Sequence, residues 1–157
     1  MAETWDDGRT MTQELHPGGV TLAPETIIER GDLWTVALNR NQNLLGKVML
    51  VLNRPLEQVI LLREDEWADL HRQMRRFTLA LTAAFQPDHF NYAFLQNQDR
   101  QVHLHVIPRY AASRTIAGET FADPDYPDHY HVPATPRMLS KEQLVTLAET
   151  IRRALPA

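Results

Sequence analysis

The chain has 157 residues, with 16 Lys and Arg against 20 Asp and Glu, seven His and no Cys. A chain this long buries roughly two-thirds of its unfolded surface, enough for one core. The net charge of −4 argues against a nucleic-acid module, which needs basic charge for phosphate, and the missing cysteines exclude disulfide scaffolds, thiolate zinc sites and cysteine nucleophiles.

The first 14 residues are polar and are expected to form a flexible N-terminus. They lack a cationic, apolar leader pattern, and no window nears the run of 18 or so apolar residues that spans a membrane. A cytoplasmic protein with no membrane partner is therefore expected. Extended structure is predicted at Val20, Thr21 and Leu22, over 26–30, and, after a Gly31-Asp32 turn, over 33–38. Residues 39–46 read as a polar loop. Residues 47–53 read as an apolar strand stopped by Pro55.

A long helix follows. Glu64, Asp65 and Glu66 place negative charge at its positive end. Trp67, Leu70, Met74, Phe77, Leu81 and Phe85 recur every three or four residues, predicting one buried stripe. Arg72, Arg75 and Arg76 then fall on a solvated face, and Pro87 ends the element. Residues 91–95 and 102–107 read as strands joined by 96–100. Residues 111–137, rich in Pro, Asp, Tyr and His, read as an ordered excursion outside the core. Ser140 and Gln143 have capping-box spacing. They open a last helix bearing Leu144, Leu147, Ile151 and Leu155. The order implies an α+β fold around a mostly antiparallel sheet.

The segment Gln101-Val-His-Leu-His-Val-Ile-Pro-Arg109 carries the most chemistry. With a side-chain period of two, Gln101, His103 and His105 share one strand face and Val102, Leu104 and Val106 the other. The two imidazoles then stand about 6 to 7 Å apart along the strand. Three readings are open. The histidines line a half-exposed sheet face; or they hold a metal, with a third ligand from Asp123, Asp125, Asp128, His129 or His131; or one is a nucleophile assisted by its neighbours.

This segment resembles the signature of the histidine triad (HIT) family, alternating histidines and apolar residues, followed by Pro-Arg in the branch that cleaves dinucleoside polyphosphates. Upstream, Leu38-Asn39-Arg40, Gly46, the apolar run 48–52, Arg54-Pro55 and the acidic helix start occur in the family's order. The resemblance covers about residues 20–110. It implies a five-stranded antiparallel sheet with the long helix and a C-terminal helix, paired as a homodimer through a helix and an edge strand. Residues 15–110 would form the catalytic core and 111–157 a C-terminal extension of the same domain. The implied activity is nucleotide hydrolysis or nucleotidyl transfer at the α-phosphate of dinucleoside polyphosphates or nucleoside phosphoramidates. His103 matches the nucleophilic position, and His105 the third triad position, beside the phosphate or the leaving group. Asn39 matches the residue that bonds the ribose. Leu38, with Ile28, would flank the base, and Asn97 would lie near the phosphates. The family implies no obligatory metal in the protein, although a divalent cation can accompany the polyphosphate.

Three departures stand out. Gln101 occupies the first triad position, and it cannot titrate. Lys47 follows Gly46 where many members have His. The family's Gly-Gln-Ser/Thr loop is absent, leaving Gln98 or Arg100 to substitute. Lys47, Arg54, Arg100 and Arg109 are the candidates for local positive charge. Two rivals to the hydrolase follow: a nucleotide-binding or sensing module with weak catalysis, and a metal-dependent hydrolase built on His103 and His105. The second pair, His129 and His131, reads as part of a rigid surface loop or as a segment folded against the phosphate site. His16, His71 and His89 read as structural.

Overall fold

The computed structural model describes Glu14–Leu15 and residues 21–157. The expectations for residues 1–13, His16 and Val20 lie outside the described residues. Strand β1 (Glu14–Leu15) pairs antiparallel with β2 (Thr21–Leu22). The main sheet contains β3 (Ile27–Arg30), β4 (Trp34–Leu38), β5 (Val48–Leu52), β6 (His89–Ala93) and β7 (His103–Arg109). Its order is β3-β4-β5-β7-β6, and every neighbouring pair is antiparallel. Helix α1 (Glu64–Phe85) joins β5 to β6. A hairpin of β8 (Arg114–Ile116) and β9 (Glu119–Phe121) precedes α2 (Lys141–Ala154). The fold is the α+β arrangement expected.

Strand β4 is buried at all five positions, which explains its lack of polar alternation. One face of β7 sends Leu104 and Val106 into a core shared with Phe77 and Leu81 of α1 and Leu144, Leu147 and Ile151 of α2. The other face carries His103 and His105. Strand β7 continues through Pro108 to Arg109, beyond the expected end at 107. The β5 ladder ends at the Val48–Val106 pair, so the missing Pro108 N–H breaks no bond on that side. Strand β6 starts two residues earlier than the expected 91, because the β7 partner extends to meet His89.

The α1 stripe needs correction. Leu70, Phe77, Leu81 and Phe85 are buried as expected, but Trp67 is 43% exposed and meets Phe94 edge-on at 6.3 Å. Glu66, Asp69 and Gln73 occupy the inward positions of the first turns instead. Polar partners make this possible. Glu66 takes Arg54 Nε at 2.5 Å and Nη2 at 3.0 Å, and Asp69 pairs with Arg72. Glu66 also accepts the Arg63 backbone N–H at 2.8 Å, closing the helix start. Arg72 and Arg76 are thus paired as well as solvated, Arg76 with Glu29 at 2.6 Å. The helix ends at Gln86, which has φ +53°.

The 111–137 excursion also contributes to the core, contrary to expectation: Phe121 is buried there and Ile116 packs against it. The Ser140 capping box forms, with Gln143 N–H donating to Ser140 Oγ at 3.1 Å and Ser140 N–H to Gln143 Oε1 at 2.9 Å. Leu155 lies just past the helix end and packs on the core. Among the described residues, no helix is long and apolar enough to cross a membrane.

Candidate active site

The β7 ladder fixes both histidines. His103 pairs with Val51, and His105 lies between Met49 of β5 and Ala93 of β6. The His103 ring is 5% exposed. Its Nδ1 lies 2.6 Å from the Gln101 carbonyl oxygen, and its Nε2 lies 3.1 Å from His105 Nε2. A carbonyl only accepts, so Nδ1 carries the proton. In neutral His103, Nε2 is then a lone pair and accepts a hydrogen bond from His105 Nε2–H. His105 is suited to remain a neutral donor. Burial, aided by His103 and the Lys47 charge, pulls its pKa down to about 4.

Both imidazoles line a cavity of about 460 Å³. One wall comes from the 39–47 loop: Asn39, Asn41, Asn43, Leu44 and Lys47. Met49, Ile107 and Leu95 add apolar surface, and residues 96–99 form a second rim. The 39–47 loop is knotted by Gln42, which is fully buried. Its Nε2 donates to the Asn39 carbonyl at 2.6 Å and the Lys47 carbonyl at 2.9 Å. Its Oε1 accepts the Gly46 N–H at 2.9 Å. Gly46 has φ +82°, a conformation that favours glycine.

The third wall is a strap from the C-terminal excursion. Tyr130, His131, Val132, Pro133 and Ala134 line the cavity, so the second histidine segment does fold against the site, within its own chain. Arg109 anchors it. Its guanidinium pairs with Asp123 at 2.6 Å and donates to the Asp128 carbonyl at 2.7 Å and to Asn91 Oδ1 at 2.9 Å. His131 Nδ1 donates to Asp125 Oδ1 at 2.9 Å. His129 is exposed, its Nδ1 against the Tyr130 carbonyl at 2.5 Å.

The remaining sequence-predicted residues divide. Asn39 and Asn97 line the cavity, and Asn39 Oδ1 also accepts the Asn41 N–H at 2.9 Å in a turn. Leu38 does not line it. Its side chain is fully buried in the core, which removes it from a base-flanking place, and Ile28 is likewise a core residue. Arg100 is exposed and outside the lining, while Gln98 lies within it. Arg54 is tied to Glu66 and Arg109 to Asp123, so of the four candidate cations only Lys47 faces the cavity.

The Gln101 side chain points away from the cavity towards backbone. Its Nε2 donates to the Leu52 carbonyl at 2.9 Å and the Arg54 carbonyl at 2.7 Å, and its Oε1 accepts the Leu56 N–H at 3.1 Å. The expected shared face is thus corrected: this amide pins the chain after β5, and only the Gln101 carbonyl reaches His103. His71 and His89 are exposed. Among the described residues, no three His, Asp or Glu side chains gather as a metal-ligand set, so the metal reading finds no third ligand there. Met49 is a lining residue that the sequence reading misses, whereas the strap matches its reading of the second histidine pair as a segment folded against the site. The alternation of Lys47 and Met49 on one strand face was the available signal for Met49.

No protein-family model matches the sequence, and no curated protein matches it. Solved structures do resemble it. A histidine triad protein of Sinorhizobium meliloti is 23% identical, with a TM-score of 0.69, over 82% of this chain and 88% of that one. A histidine triad protein of Bradyrhizobium japonicum is 23% identical, with a TM-score of 0.66, over 83% and 92%. A Plasmodium falciparum diadenosine triphosphate hydrolase, in complex with cyclomarin A, is 16% identical, with a TM-score of 0.63, over 95% and 88%. With His103 and His105 side by side on β7, these likenesses establish that the chain has the histidine-triad fold.

Proposed function

We propose that the protein is a nucleotide hydrolase or nucleotidyl-transferase acting at an α-phosphate, with His103 as nucleophile. One observation carries this reading: the Gln101 carbonyl fixes the His103 proton on Nδ1 and leaves the Nε2 lone pair at the cavity. Attack forms a P–N bond. The bond to the leaving group breaks with its electron pair, and the His105 Nε2–H, released from His103, donates to a phosphate oxygen. Water then attacks phosphorus, the P–N bond returns its pair to Nε2, and a nucleoside monophosphate departs. The leaving group takes up the remaining proton. Dinucleoside polyphosphates are the favoured substrates and nucleoside phosphoramidates the nearest rivals. Any divalent cation would arrive with the polyphosphate.

The same proposal includes a cytoplasmic location and a homodimer. For the dimer, β6 is an open sheet edge on which Tyr92 is exposed, and Trp67, exposed on α1, meets Phe94 just past its end. The test is incubation with a panel of dinucleoside polyphosphates and phosphoramidates, with mass spectrometry for a nucleotidyl adduct. An adduct on His103 is expected; turnover without one would overturn the assignment. A binding or sensing module is the second reading. It is favoured by the Gln101 amide, which is fully engaged with backbone and offers substrate nothing. Tight AMP binding with negligible hydrolysis across the panel would select it.

A further inference from the structure

We propose that the Lys47 ammonium is the phosphate-gripping group of this cavity, standing in for the missing phosphate loop. This rests on the nucleotide reading above. Lys47 is 8% exposed and lines the cavity with His103 and His105. An ammonium has three donors. Asn43 Oδ1 takes one at 2.6 Å, and no other side-chain bond of Lys47 is formed among the described residues. Asn43 thus aims the charge without neutralising it, and the backbone of Lys47 is fixed by Gln42 and Asn39. The other sequence-predicted cations are engaged elsewhere or lie outside the lining, so a substrate anion meets Lys47 first. Charge also links it to the triad, since Lys47 helps to keep His105 unprotonated.

Burial draws the Lys47 pKa down to about 8. The ammonium is charged below that pH and lost above it, so anion affinity should fall as pH rises through 8. The other titratable groups around the cavity are His103 and His105 on β7, Asp99 on the rim, and the Asp125–His131 pair and Tyr130 on the strap. Substitution at Lys47 itself separates it from them.

The experiment measures AMP and adenosine binding by calorimetry between pH 7 and 9.5, on wild type, Lys47→Met and Lys47→Arg. Wild-type AMP affinity should fall across pH 8 while adenosine affinity stays level. At pH 7, Lys47→Met should weaken AMP by about tenfold to a hundredfold and leave adenosine unchanged. Lys47→Arg should retain AMP binding and lose the fall near pH 8. Wild-type AMP affinity retained in Lys47→Met would overturn the proposal and leave the nucleotide reading standing. Equal weakening of AMP and adenosine would also overturn it, since that reports a deformed cavity. A wild type that binds neither compound would overturn the nucleotide reading itself, and this proposal with it.

Discussion

His103 Nδ1 and the carbonyl oxygen of Gln101 lie 2.6 Å apart, joining two alternate residues of one chain segment. The bond sets the tautomer that leaves Nε2 nucleophilic. His103→Ala should therefore abolish the nucleotidyl adduct and lower AMP release on the order of a thousandfold or more. AMP affinity and a cooperative melt should survive. Adduct formation and turnover at the wild-type rate would remove His103 from the chemistry.

The Gln101 side chain has a separate role. It satisfies the carbonyl of Leu52 at the end of β5, and the Arg54 carbonyl and Leu56 N–H just beyond it. Gln101→Leu strands those groups and should cost about 2 to 4 kcal/mol in urea unfolding. Gln101→His keeps part of the bonding. It should lose less stability and change the rate of AMP release only modestly. A large rate loss in a stable Gln101→His protein would show that the amide itself takes part in catalysis.

His105 makes stability depend on pH. Its folded pKa, about 4, lies below the ordinary 6.5 because the ring is buried beside His103 and Lys47. Between those values the unfolded chain takes up a proton that the native state refuses. Stability is thus fully present above about 6.5 and falls as pH drops towards 4, by about 3 kcal/mol in all. His105→Asn should remove this part of the loss. Denaturation midpoints at pH 7.5 and 4.5 should converge relative to wild type. An unchanged acid loss in the variant would rule out His105 as its source.

Arg109 and Asp123 form a buried pair that also holds the strap over the cavity. Asp123→Ala leaves an uncompensated guanidinium and should cost about 3 to 5 kcal/mol. Limited proteolysis should show new cleavage within 124–134, and AMP affinity should fall because Tyr130 to Ala134 leave their wall. Global destabilisation with an uncut strap would mean that the pair supports the core alone.

Much of this arrangement was legible in the sequence, for local reasons. Period two placed His103 and His105 opposite Leu104 and Val106, and the Ser140 box marked a helix start correctly. Failures arose where tertiary partners decided. Trp67 fitted the helical stripe, but Glu66, Asp69 and Gln73 went inward because Arg54, Arg72 and neighbouring side chains could satisfy them. Gln101 fitted the strand alternation, yet three backbone groups drew its amide away. Leu38 sat beside Asn39 in the motif, but the next residue of a strand faces the other way, into the core. The strap's place over the cavity depends on a bond from Arg109 to Asp123 that spacing does not disclose.

Gly46 allows a controlled comparison with Gly118. Both have positive φ, +82° and +75°. A Cβ at Gly46 would stand 2.9 Å from the Phe85 ring and 3.2 Å from Leu81, whereas one at Gly118 would meet nothing within 4 Å. Gly118→Ala should therefore show only the backbone cost, about 1 kcal/mol. Gly46→Ala adds overpacking and should lose about 2 to 4 kcal/mol in total. Because Gly46 N–H is held by Gln42 and precedes Lys47, the second variant should also weaken AMP binding measured below its melt. Equal losses in the two variants would show that Phe85 yields freely. The close fit of the 39–47 loop on α1 would then have no part in placing Lys47.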